Sequence, residues 1–470
     1  MTAQILQPVG LKSQAVNFRA LPPLSLYIHI PWCVRKCPYC DFNSHEVRGT
    51  FPEKEYVAAL VRDLELALPL IWGRKVYTVF FGGGTPSLLS GDGVDEILRN
   101  VRMLLPLALD AEITLEANPG TVEAARFAAY REAGVNRLSM GIQSFNDAHL
   151  QALGRIHTAD EAKHATAVAR QHFDNINLDL MYALPGQTLE QALLDVQTAL
   201  SFAPQHLSCY HLTLEPNTLF HRNPPTLPDD DASSDMQQRI EEMLAAAGYQ
   251  HYETSAFALA NGRGKYANDD ETRHARFPLP GPPPQAGEGG NVSPRESLFN
   301  CRARHNLNYW QFGDYLGVGA GAHSKLSFPD KIVRQARYKQ PQAYMQQVAR
   351  DASVQVESEV NRDELGFEFM MNALRLNEGF DSVLFEERTS LPLLSIQREL
   401  ADAERRGLLV RTLGHGGAQP AGAGEASGQL HRQAANFAGN MAQLTVHQRI
   451  APTKLGQRFL NDLLEIFLRC

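Results

Sequence analysis

The stretch LSLYIHIPWCVRKCPYCDF (24–42) joins a short apolar run to three cysteines within eight positions. Its first seven residues read as a buried strand. Cys33, Cys37 and Cys40 follow in a C-x3-C-x2-C arrangement on the loop the strand feeds. Three thiolates on one tight loop can hold three irons of a cubane cluster and leave the fourth iron without a protein ligand. Such an iron is a place for a small chelating molecule. S-adenosylmethionine (SAM) can bind it through its amino and carboxylate groups, and an electron from the cluster can then cleave the sulfonium. The rivals are a mixed zinc site completed by His29 or His45, and plain core cysteines.

Outward from this loop, strands and helices alternate. EKEYVAALVRDLELAL (53–68) is an amphipathic helix, followed by the strand KVYTVFF (75–81). AEITLEA (111–117), NRLSMGI (136–142), NINLDLM (175–181) and HLSCYHL (206–212) read as further strands, with helices around 93–105, 121–133, 159–173 and 188–202. Six short apolar strands with helical crossovers argue for an α/β protein with a parallel sheet covered by helices. Ligands of such sheets gather at the C-terminal ends of the strands. The motifs fall there. Gly82-Gly83-Gly84-Thr85-Pro86 follows the second strand and lets backbone approach a ligand closely. Glu116, Gln143, Arg155 and Asp179 lie at or just beyond later strand ends. Each singly reads as a structural or surface residue; four on successive turns of one sheet suggest one site. A carboxylate suits ribose hydroxyls and an arginine suits the SAM carboxylate.

Composition bounds the rest. The chain has 470 residues, 44% of them hydrophobic, and a formal net charge of −8, so it carries no basic footprint for nucleic acid. No apolar run approaches the roughly 20 residues that span a bilayer, and residues 1–23 lack a signal-peptide pattern. A cytoplasmic protein, at most peripherally associated with a membrane, is expected. Six cysteines are too few for a disulfide scaffold. Domain boundaries are expected as an N-terminal extension (1–22), a core (23–260), a disordered Pro/Gly-rich insertion (261–300), a segment completing the core (301–340) and a C-terminal domain (341–470) with a flexible loop at 413–440.

YIHIPWCVRKCPYCDF, FFGGGTPS, RLSMGIQSF, LGRIH and LDLMYALPGQT together resemble the radical SAM superfamily, and within it the branch of oxygen-independent coproporphyrinogen dehydrogenase and the HemW proteins. The resemblance implies a partial (β/α)6 barrel with a helix-rich, winged-helix-like C-terminal domain. It makes Cys33, Cys37 and Cys40 ligands of a [4Fe–4S] cluster. It makes Tyr27, Tyr39, Gly83, Gly84, Thr85, Glu116, Gln143, Arg155 and Asp179 contacts of SAM. His29 stays open between a role near the cluster and a buried structural imidazole.

Two features separate the branch's members. The dehydrogenase pattern has a cysteine two positions after the third ligand, where this chain has Phe42, and a longer segment before the first strand. His305-Asn-Leu-Asn-Tyr309-Trp310 resembles the branch's haem-binding motif. There His305 is an axial ligand, Tyr309 and Trp310 offer flat apolar surface, and Cys301 is a rival thiolate. The resemblance thus implies a haem chaperone that delivers haem, its cargo, to respiratory proteins and can form a homodimer. The alternative is oxidative decarboxylation of coproporphyrinogen III. Because HNLNYW follows the barrel strands in sequence, it is expected outside the SAM pocket.

Overall fold

The computed structural model describes residues 16–121, 124–260, 301–413 and 447–468. The expected insertion at 261–300 and nearly all of the loop at 413–440 lie outside the described residues. The described residues fall into two compact units, the larger drawn from the stretches Leu21 to Tyr309 and Gly313 to Val360.

The larger unit is built on one sheet of twelve strands. Six are those expected from sequence: β1 (Leu24–Ile30), β2 (Val76–Gly83), β3 (Leu107–Ala117), β4 (Arg137–Gln143), β5 (Ile176–Tyr182) and β6 (His206–His211). They lie side by side and parallel in that order. A hairpin, β7 (Tyr249–Glu253) and β8 (Ala256–Leu259), adds antiparallel to β6. On the other side β9 (Asp314–Val318) pairs parallel with β1, a seventh parallel strand. β10 (His323–Ser327), β11 (Ile332–Arg337) and β12 (Val354–Glu359) continue antiparallel to the edge. The two edge strands, β7 and β12, do not pair, so the barrel is partial as the resemblance implied.

Side-chain parity explains the layers. Along β1, Leu24, Leu26, Ile28 and Ile30 pack in the apolar core, while Ser25, Tyr27 and His29 take the opposite face. The register carries this across the sheet: Ser25 lies beside Thr78, Tyr27 beside Phe80 and His29 beside Gly82. Glu112, Thr114 and Glu116 alternate with Ile113, Leu115 and Ala117 on β3, and Asn177 and Asp179 with Ile176, Leu178 and Leu180 on β5. One face is therefore hydrocarbon against the helices, and the other is a polar interior. Helices Ala159–His172 and Leu189–Ser201 begin on reciprocal caps, Thr158 with Glu161 and Thr188 with Gln191, which satisfy donors at their first turns.

β9 is anchored by charge. Buried Asp314 accepts from Arg74 at 2.8 Å, Lys325 at 3.0 Å and the Ser327 amide and hydroxyl, each at 2.8 Å. Burial alone would push its carboxyl up, but Lys325 and Arg74 outweigh that and hold it below the usual carboxylate range. Its stabilisation is therefore present above the ordinary carboxylate pKa and is lost as pH falls through the depressed one. Lys325→Met removes a partner from a buried carboxylate and is expected to cost about 3–5 kcal/mol, read from urea unfolding at pH 7, with a smaller penalty at acid pH.

The smaller unit comprises residues 16–20, 310–312, 361–413 and 447–468 among those described. It is helix-rich, with a three-stranded antiparallel sheet of Phe380–Asp381, Gln448–Pro452 and Leu409–Leu413. Phe369 packs edge-on against Phe312, Phe380 and Phe385 at its centre.

Candidate functional site

β1 ends at Ile30 and passes directly into the cysteine loop, whose first turn is closed by Cys40 N–H to the Cys37 carbonyl at 3.2 Å. All three thiols are partly exposed. Burial pushes the Cys33 thiol up, opposed by a hydrogen bond with Thr85, and pushes Cys40 up, opposed by hydrogen bonds with Phe42 and Ser44. The three repel one another electrostatically, as close thiolates do. Among the described residues no three His, Cys, Asp or Glu side chains are drawn together as a ready metal site. What fits a cluster is the donor chemistry: three soft, accessible thiols on one loop beside a polar pocket.

The glycine turn is pressed onto this loop. Gly84 N–H donates to the Ile30 carbonyl at 2.8 Å and Thr85 N–H to the Trp32 carbonyl at 2.7 Å. Gly83 has φ +117°, and a Cβ there would lie 2.5 Å from the His29 ring. A second turn, not read from sequence, closes on the other side of His29. Gly319 has φ +106°, and its Cβ would stand 2.5 Å from the His29 carbonyl oxygen.

His29 is thereby a positioning residue. Its Nε2 donates to the Asn43 carbonyl at 2.9 Å, so Nδ1 accepts from the Tyr27 hydroxyl at 3.0 Å. Burial drives its pKa down to about 4, leaving a neutral ring. Asn43 in turn donates to the Ala320 and Lys339 carbonyls, each at 2.9 Å. The cysteine loop is thus tied to the segment after β9. GVGAGAH (317–323), a glycine run directly after a strand, carried the same signal as GGGT and was available in the sequence.

Glu116 accepts from Gly83 N–H at 3.2 Å. Burial, with Asp179 nearby, pushes its carboxyl up to about 8, so it carries a proton at neutral pH. Asp179, on β5, accepts from Ser139 at 3.0 Å and Asn177 at 2.8 Å, and burial pushes it up too. Gln143 sits at φ +68° where the β4–β5 register slips, which re-aims its side chain. Arg155 donates to the Gly141 carbonyl at 2.7 Å and reaches the Cys37 sulfur at 3.7 Å. Tyr39 packs with Phe220 and hydrogen-bonds to Cys37 and Arg155.

A pocket of about 620 Å³ opens beside these groups, lined by Tyr27, Gly83, Glu116, Phe42, Tyr309 and Tyr315 among others. Phe42 is 62% exposed at its mouth. Tyr309 shares this lining with Tyr27, Gly83 and Glu116, three of the expected SAM contacts, whereas HNLNYW was expected apart from them. The reason is β9: pairing beside β1 brings the preceding helix, Arg304–Trp310, against the polar interior. Glu112 accepts from the Arg304 and His305 amides at 3.2 and 3.1 Å, and Asn308 donates to the Asp314 carbonyl at 2.8 Å.

His305 is 2% exposed and stacks on Phe80. Thr78 gives its proton to Ser25 and so accepts from His305 Nδ1 at 2.7 Å. Nε2 therefore carries the lone pair and accepts from the Tyr309 hydroxyl at 3.0 Å. Burial pushes the ring pKa down to about 3. Cys301 packs against the core, and burial raises its thiol, which disfavours a thiolate. Trp310 groups with the smaller unit, where the Arg375 guanidinium lies over its ring at 4.9 Å.

The Radical SAM superfamily profile matches residues 27–197, and the HemN C-terminal domain profile matches 360–421. "Heme chaperone HemW" of Escherichia coli (strain K12) is 44% identical over 450 residues, covering 95% of this chain and 99% of that protein. The chain belongs to the HemW family. "Heme chaperone HemW" of Haemophilus influenzae is 41% identical over 454 residues, covering 95% of this chain and 98% of that one. The solved structure of coproporphyrinogen III oxidase (HemN) from Escherichia coli aligns with a TM-score of 0.68 at 23% identity, over 95% of this chain and 90% of that one. This likeness is one of fold: the radical SAM sheet and the C-terminal helical region are common to both. Membership of the superfamily implies a [4Fe–4S] cluster and SAM for this HemW family member.

Proposed function

We propose that this chain is a haem chaperone: it binds haem as cargo and passes it to haem-requiring respiratory proteins. The observation that carries the reading is the 44% identity to a HemW haem chaperone across 95% of the chain. The site supports it. His305 is a neutral imidazole whose Nε2 lone pair is held by one phenol, and that phenol borders the pocket. A carrier must collect haem and release it, and one reversible axial nitrogen suits that need better than two strong ligands.

Cys33, Cys37 and Cys40 would hold the cluster, which when bound would supply electron transfer to SAM. Around SAM, Gly83, Gly84 and Thr85 present backbone, Arg155 meets the carboxylate beside Cys37, and Glu116 and Asp179 offer carboxyls to hydroxyls. Tyr27, Tyr39 and Gln143 complete the contacts. His29 positions Tyr27 and the loop. A homodimer belongs to the same reading. No helix among the described residues is long and apolar enough to cross a membrane, and the protein acts in the cytoplasm, touching membranes at most peripherally.

The deciding experiment assays haem binding and anaerobic coproporphyrinogen III conversion side by side on protein with a reconstituted cluster. Haem binding with absent or marginal conversion is expected. Robust protoporphyrinogen formation would make the decarboxylation reading correct.

A further inference from the structure

The pocket lining has two chemically different parts. Part of the lining is Tyr27, Gly83 and Glu116; another part is His323 and Lys339, on and after the outer strands β10 and β11, with the Lys339 backbone tied to the cysteine loop. Lys339 uses its carbonyl to accept from Asn43 and His45, at 2.9 and 3.3 Å. Its ammonium and the His323 ring have no hydrogen-bond or ion-pair partner among the described residues, and both residues are exposed. Lys36, also in the lining, donates through its ammonium to the Phe42 and Ser44 carbonyls.

The balance of charge follows. Burial lowers the His323 pKa, and Lys339, Arg334 and Arg337 lower it further, which marks a positive field at the ring. Glu116 is protonated near neutral pH, being pushed up to about 8. Tyr309 and Tyr315, also in the lining, form an edge-to-face pair with ring centroids 4.7 Å apart, which gives the pocket aromatic surface.

We infer that the His323–Lys339 wall is a carboxylate subsite that receives a propionate of haem, with the porphyrin laid against Tyr309 and Tyr315. The inference rests on the haem-chaperone reading. A SAM carboxylate is the other source of the same chemistry. Haem is favoured because Arg155, beside Cys37, already offers SAM a guanidinium and is not part of this lining.

The test uses the full chain with its cluster reconstituted, titrated anaerobically with haem and with haem dimethyl ester, whose propionates carry no charge. SAM binding is measured in parallel by equilibrium dialysis. In His323→Gln/Lys339→Gln, haem affinity is expected to fall about 10- to 100-fold, as for loss of charge-assisted hydrogen bonds. The diester should bind wild type and variant alike, SAM affinity should hold, and Lys339→Arg should retain haem. If wild type binds the diester as tightly as haem, or the double variant keeps its haem affinity, the subsite is refuted while the chaperone reading stands. If SAM binding falls and haem binding does not, the wall serves SAM and the inference fails. If wild type binds neither haem nor its ester, the chaperone reading fails and the subsite with it.

Discussion

Replacing Cys33, Cys37 and Cys40 together with serine is expected to leave a folded protein without iron or acid-labile sulfide. The wild-type chain, reconstituted anaerobically, should carry about four irons, the content of one cubane. Serine keeps the size of the side chain but offers a hard, weakly acidic oxygen in place of a soft thiolate, so iron–sulfur bonding is lost. The fold should persist because none of the three thiols is fully buried and none belongs to the apolar core. Far-UV circular dichroism unchanged from wild type, with iron and sulfide at background, is the expected pair of results. Full iron retention in the triple variant would place the cluster elsewhere or refute it. Zinc content in the wild type, measured on the same samples, separates the mixed Cys/His alternative.

The second large effect is expected at His305. In the arrangement described, Nδ1–H is held by Thr78 and the Nε2 lone pair by Tyr309. Thr78 fixes the tautomer, as partners of metal-bound histidines do, so Nε2 is the atom free to act as a ligand once Tyr309 moves. Reaching it requires the Tyr309 hydroxyl to turn away and the helix Arg304–Trp310 to shift, since the ring is 2% exposed. His305→Ala should therefore displace the haem Soret band and weaken binding about tenfold or more, the order of a lost charge-independent ligand contact. Tyr309→Phe removes the competing hydroxyl and should preserve or tighten haem binding. Cys301→Ala should change neither, because burial disfavours its thiolate. Because the ring pKa is pushed down to about 3, haem binding should not be lost through protonation of His305 between pH 5 and 8. An unchanged spectrum in His305→Ala together with a shifted one in Cys301→Ala would assign the ligand to sulfur.

Much of this site is legible in the sequence. The six parallel strands were readable as apolar runs, because a strand buried under helices must place hydrocarbon at alternate positions whatever its neighbours are. C-x3-C-x2-C and GGGTP were readable because metal ligation and close backbone approach each demand particular residue types at short range. Local chemistry writes itself into local sequence.

Long-range placement does not. LSLYIHI shows Leu, Ser, Leu, Tyr, Ile, His, Ile, but which parity meets solvent, core or ligand depends on the strands alongside. HNLNYW was recognisable as a motif. Its position inside the barrel was not, because that follows from β9 pairing parallel with β1 nearly three hundred residues away. The same pairing sets GVGAGAH against His29 and brings Lys339 and His323 into the same pocket lining as Glu116. Residue types and short spacings name the chemistry a chain can perform. Only the register between distant strands decides which of those groups face one another, since backbone pairing constrains position without specifying side chains.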